Sequence, residues 1–162
     1  MRPKRKAEGA NPDLVYFEDR GAVYDAPLEV VWDFMLQDET FHPQAHKGVV
    51  RNFVSKALSD VTELLSWEHR QGRAWKRVSA RFTTIRPALR VTEYLDGPYA
   101  GSTAVFVYSP RGRQTAVDVL CYMRSAELTP KQIERAYRKT LAGAYREDGP
   151  WFRKYVRSLQ QK

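Results

Sequence analysis

Six strand-like segments follow one another between Gly48 and Ala126, after which the sequence changes period once. The segments are "GVVRNFVSKA", "DVTELLSWEHR", "AWKRVSARFTTI", "ALRVTEYL", "STAVFVYS" and "QTAVDVLCYMRSA". Turn signals divide them: "QGR", Pro87, "DGPYAG" and "PRGR", the last a compact hairpin candidate. Consecutive antiparallel strands leave an apolar face that another layer must cover. The only element large enough begins at "TPKQIERAYRKTLAGAYRE". Thr129 is its N-cap, Pro130 its first residue, and Gln132 completes a capping box. Ile133, Tyr137, Leu141 and Ala144 or Tyr145 form its apolar stripe. Gly149-Pro150 should kink or interrupt this helix before "WFRKYVRSL" resumes it.

Upstream, "LVYFEDRGAVYD" reads as a first strand, bent at Gly21. The next residues, "APLEVVWDFM", switch to helical spacing at Val30, Val31, Phe34 and Met35. Pro27 suits the first helical turn, with Asp25 or Ala26 as cap and Glu29 near the positive end of the dipole. Trp32 is expected to pack inward. "DETFHPQAH" reads as a second short helix or turn. Residues 1–12 lack periodicity and are expected to be a basic, disordered tail. Residues 13–162 show no repeat and no linker, so one domain is expected. The fold class is therefore α+β: a curved antiparallel β-sheet wrapped around a long C-terminal α-helix, with two short helices after strand 1 plugging an open end.

Composition removes several alternatives. No apolar run approaches the roughly 18 residues of a membrane span. The N-terminal stretch has no apolar core of a secretory signal. Cys121 stands alone, so no internal disulfide can form, and a reducing cytoplasm is the simplest setting. The formal net charge is +8, and only part of it comes from Arg2, Lys4, Arg5 and Lys6 in the tail. That excess favours anionic partners, although solubility alone is the simpler explanation.

The order of elements resembles the helix-grip fold of the START and Bet v 1-like superfamily (SRPBCC). The residues that carry the resemblance are the "AP" turn at Ala26-Pro27, "EVVW" from Glu29 to Trp32, and the "GP" pair in the last helix. The resemblance runs over nearly all of residues 13–160. It implies a cavity between sheet and C-terminal helix, and binding of an apolar small molecule such as a lipid, sterol, quinone or polyketide. Some members of the superfamily catalyse cyclisation or dehydration.

Strand alternation sorts the side chains into an inward and an outward set. Val78, Ala80 and Phe82 are read as inward, and Arg77, Ser79 and Arg81 as outward. Val61, Leu65, Trp67 and His69 are inward by the same test, as are Leu89, Val91, Glu93 and Leu95. A hairpin turn at Arg111-Gly112 sets Phe106 opposite Val117 and Ala104 opposite Val119, and adds Cys121 to that face. The candidate ligand-binding set is Trp67, His69, Phe82, Val91, Glu93, Phe106, Val119, Cys121, Tyr137 and Leu141. Its aromatic members could equally be plain core, and Cys121 an inert small hydrophobe. Glu93 and His69 are the two ionisable groups in an apolar phase. They are candidates for orienting a polar ligand end, or for general acid and base in a cyclase or dehydratase. The plainer explanation for Glu93 is a strand irregularity that turns it to solvent, or Arg or Tyr side chains that satisfy it, and a satisfied core or rim histidine explains His69 at least as well.

Other signals are weaker. His42 and His46 are four residues apart, but no zinc-protease glutamate follows His42, and no metal or cofactor is expected. Arg70, Arg77, Arg81 and Arg90, with Thr92 and Tyr94, are read as a basic outer sheet face. That face could bind single-stranded nucleic acid, although its stacking pattern is sparse. Ligand identity and oligomeric state are open at this level.

Overall fold

The computed structural model describes residues 14–36 and 45–161. The expected tail and most of "DETFHPQAH" lie outside the described residues. The strands are β1 (Val15–Tyr24), β2 (Val50–Ala57), β3 (Thr62–Gln71), β4 (Ala74–Ile85), β5 (Leu89–Asp96), β6 (Thr103–Arg111) and β7 (Gln114–Met123). The helices are α1 (Leu28–Met35) and α2 (Pro130–Leu159). Among the described residues the seven strands form one antiparallel sheet in the order β1-β7-β6-β5-β4-β3-β2, and it does not close on itself.

The first strand pairs with the last because α1 turns the chain away before β2 begins. β1 is bent at Gly21, where the register to β7 shifts between Arg20 and Ala22 and the backbone adopts φ +121°. Pro27 stands one residue before α1, as its N-cap, and not inside the first turn. Val31, Trp32 and Phe34 are buried. Trp32 meets Tyr108 of β6 edge-on at 5.2 Å, and Phe34 meets Phe152 of α2 at 5.1 Å. The short helix is thus a wedge between sheet and long helix.

α2 starts where its capping residues place it. The Thr129 N–H donates to Gln132 Oε1 at 2.9 Å. The helix then runs 30 residues without the expected interruption, carrying Pro150 inside it. Continuous packing of Asp148, Phe152 and Tyr155 on the core holds this stretch helical despite the hydrogen bond that Pro150 cannot donate. The core lies between α2, α1 and the inner faces of β1, β7 and β6, with Phe17, Val117, Val119, Cys121, Met123, Ile133, Tyr137 and Leu141 at its centre.

Two expectations about register are corrected. The β6–β7 turn is Gly112-Arg113, with Gly112 at φ +64°, so Phe106 faces Val119 and Ala104 faces Cys121. The shift is one pair along the ladder, so the same residues keep the inner face. Val61 lies outside β3 and is exposed.

Candidate functional site

The phase of β5 decides what the inner face can do. Ladder partners across antiparallel strands point to the same side. Tyr94 is opposite Ala80, Thr92 opposite Phe82 and Arg90 opposite Thr84. Tyr94 shares a 2.9 Å hydroxyl hydrogen bond with Tyr137 of α2, which fixes this as the inner side. Arg90, Thr92 and Tyr94 therefore face inward. Leu89, Val91, Glu93 and Leu95 face outward, the reverse of the expected set.

Glu93 accordingly leaves the candidate cavity. Its carboxylate accepts two hydrogen bonds from Arg81, Nε to Oε2 and Nη2 to Oε1, both 2.7 Å. The Arg81 guanidinium holds its pKa below the usual carboxylate range. Val91 likewise belongs to the outer face, half-buried between Thr83 and Val105. The reversal has a physical origin in the mid-sheet position of β5. Val91, Val105 and Leu120 form an apolar band on the outer face, so hydrophobicity does not mark the inside.

The other candidates are on the inner side. Trp67 and Phe82 are half-buried and meet edge-on at 6.3 Å. His69 is half-buried on β3, and desolvation lowers its pKa, favouring neutral imidazole. Phe106 is half-buried on β6. Val119, Cys121, Tyr137 and Leu141 are fully buried core residues. Burial pushes the Cys121 thiol up to about 12, so it is an unreactive apolar side chain.

Arg90, expected on a basic exterior, instead faces inward and is the central feature. Its guanidinium stacks 4.7 Å from the Phe106 ring centre and 5.3 Å from that of Phe82. No carboxylate pairs with it among the described residues. Its Nε is buried without a hydrogen-bond partner, as are Thr92 Oγ1 on the same strand face and Tyr145 Oη on α2. The positive charge acts on four phenols, those of Tyr94, Tyr108, Tyr137 and Tyr145. Burial raises the pKa of all four, that of Tyr94 to about 12, so they are neutral donors and acceptors near neutral pH. A cation between two aromatic faces and inside a set of hydroxyls can orient an oxygen-bearing apolar molecule.

A second polar group lies nearby. His46 Nδ1 is 2.9 Å from Glu147 Oε2, and its Nε2 is 3.2 Å from Asp148 Oδ1. Tyr24 donates to Asp148 Oδ2 at 3.0 Å. Burial opposes the charged imidazole, but the hydrogen bonds and charges of Asp148 and Glu147 outweigh it and raise the His46 pKa. The His42 half of the expected histidine pair lies outside the described residues. A groove of about 620 Å³ runs beside this group, between the end of β1 with Asp25 after it and the later turns of α2. Tyr145 lines it together with Phe152 and Val156.

Comparison with known proteins supports the architecture. No family model and no curated protein matches the sequence. Solved structures do match in shape. Ara h 8.0201 superposes with a TM-score of 0.71 at 7% identity, over 87% of this chain and 99% of its own. The ZhuI aromatase/cyclase from Streptomyces sp. R1128 gives 0.68 at 9%, over 90% and 96%. The di-domain aromatase/cyclase StfQ of the steffimycin biosynthetic pathway gives 0.71 at 10%, over 89% of this chain and 52% of its own.

Proposed function

We propose that this chain, which has the helix-grip fold of Bet v 1-like proteins, binds an apolar small molecule between sheet and α2, with an acidic or carbonyl oxygen of the guest held by Arg90. One observation carries the reading. An arginine with no carboxylate partner among the described residues sits on the inner face with a buried, unpaired Nε, on the same strand face as the unpaired Thr92 hydroxyl, and the Tyr145 hydroxyl of α2 is likewise buried and unpaired. An unmet buried polar atom costs about 1–3 kcal/mol, and a guest oxygen would satisfy several at once. Trp67, Phe82 and Phe106 supply apolar contact surface, and His69 lies on the same face. Burial of the guest's apolar area contributes roughly 25 cal/mol per Å² before ordering costs. The lone buried Cys121 and the lack, among the described residues, of a helix long and apolar enough to cross a membrane fit a cytoplasmic setting.

A thermal-shift panel tests this with paired compounds: aromatic acids and phenols against their methyl esters and ethers. The acids and phenols are expected to raise Tm more than their capped partners, and Arg90→Met to remove that difference. Equal shifts within every pair would refute the role of Arg90.

A second reading, an aromatase or cyclase type of enzyme, draws on the two similar structures that carry those names. In that case Arg90 and the Thr92 and Tyr145 hydroxyls would stabilise an enolate oxygen as charge develops. Neutral His69 is the candidate base, since Glu93 is bound to Arg81 on the far side. His69→Ala should then lower kcat for any accepted polyketone. Unchanged turnover would leave binding alone.

A further inference from the structure

The outward side of α2 has a charge pattern that ligand binding does not use. At about 100° per residue, Lys131, Arg135, Lys139, Arg146, Arg153 and Arg157 all fall within an arc of about 80°. All six are exposed. The row spans about 39 Å of helix and lies roughly 160° from the direction of the buried residues. It contains no acid. Of the carboxylates on α2, Glu134 binds Arg138, while Glu147 and Asp148 bind His46. None of the six cations has a carboxylate partner among the described residues. The residues between them within that arc are Ala142 and Gly149, which leave the charged heads as its outermost points.

We propose that this ridge docks the protein on the surface of an anionic lipid bilayer. A row of exposed cations confined to one side of a helix can meet a plane at several points along its length. The phosphates of a nucleic-acid duplex wind away from a straight line, and the ridge has no aromatic ring on which single-stranded bases could stack. The apolar face of α2 is already buried in the core, so contact is electrostatic and superficial, without insertion. The outer sheet face is a weaker candidate, because Arg81 and Arg51 are paired there with Glu93 and Glu68. Arg153 and Arg157 also border the groove beside β1, so the docked face adjoins an apolar opening.

The test is cosedimentation of the full chain with phosphatidylcholine vesicles, with and without about 30% phosphatidylserine. Binding should require phosphatidylserine and should collapse as salt rises from about 0.1 M to about 0.5 M. Arg135→Glu/Arg146→Glu/Arg153→Glu should weaken it about tenfold or more. Arg73→Glu/Arg77→Glu/Arg113→Glu removes the same charge from the sheet side and should change it less than about twofold. Unfolding curves check that both variants fold, and the neutral set Lys139→Gln/Arg146→Gln/Arg157→Gln should give an intermediate loss. Equal weakening by both charge-reversal sets would reduce the effect to net charge and overturn the proposal. So would binding that ignores phosphatidylserine, or capture of an RNA or DNA oligonucleotide in preference to vesicles. Arg90→Met should bind vesicles normally, so failure here is separable from failure of the cavity reading.

Discussion

Arg90 and Glu93 are three residues apart on one strand and have opposite fates. The carboxylate turns out to Arg81, whereas the guanidinium turns in between two aromatic rings. An inward-facing arginine is costly unless its donors are used, and this is why one residue matters for function more than the apolar lining around it. A smaller residue matters for structure. Gly97 follows β5 at φ +93°, and a Cβ there would lie 2.8 Å from the Arg77 carbonyl oxygen. Because that neighbour is backbone, it cannot swing aside. Gly97→Ala should therefore cost about 1–3 kcal/mol in denaturant unfolding, and a loss within about 0.3 kcal/mol would contradict the close approach.

Among the elements, α1 owes its position to three side chains, Val31, Trp32 and Phe34, which enter the core between β6 and α2. Phe34 is wholly buried against Phe152 and Tyr155. Phe34→Ala should cost about 3–5 kcal/mol, read as a shift in unfolding midpoint with little change in slope. The elements themselves were legible in the sequence, since turn residues and the capping box mark them directly. β4 occupies the very residues of "AWKRVSARFTTI", and α2 begins at Pro130. The facing of β5 was not legible. Period-2 alternation identifies two sides but not which is inside, and Leu89, Val91 and Leu95 are the more hydrophobic set. Only pairing with β4 and the Tyr94–Tyr137 contact orient the strand. The inner face is therefore half visible in the sequence: alternation along β3, β4 and β6 turns Trp67, His69, Phe82 and Phe106 inward, whereas Arg90, Thr92 and Tyr94 turn in from a strand whose hydrophobicity points the other way.

For the whole molecule, pH couples its parts through two histidines of opposite sign. His46 holds its proton more tightly when folded, so it adds stability below its unfolded pKa near 6.5, and that contribution is lost as pH rises through the raised folded value. His69 has a lowered folded pKa, so its neutral burial adds stability at higher pH and loses it as pH falls from near 6.5. Replacing His46 by Gln should leave the His69 contribution dominant, and Tm should then rise from pH 5 toward neutrality more steeply than in the wild type. Parallel pH profiles for the two proteins would show that the contacts of His46 with Glu147 and Asp148 carry no protonation-linked stability.

Ligand binding by this fold depends most on Arg90 meeting a guest inside it. Calorimetric titration with an aromatic sulfonate dye addresses this directly, because the probe combines an apolar ring system with a fixed negative charge. One site per chain is expected, with affinity falling about tenfold or more in Arg90→Met while the unfolding midpoint holds or rises. Equal affinity in the two proteins, or heat that scales with many weak surface sites, would contradict it.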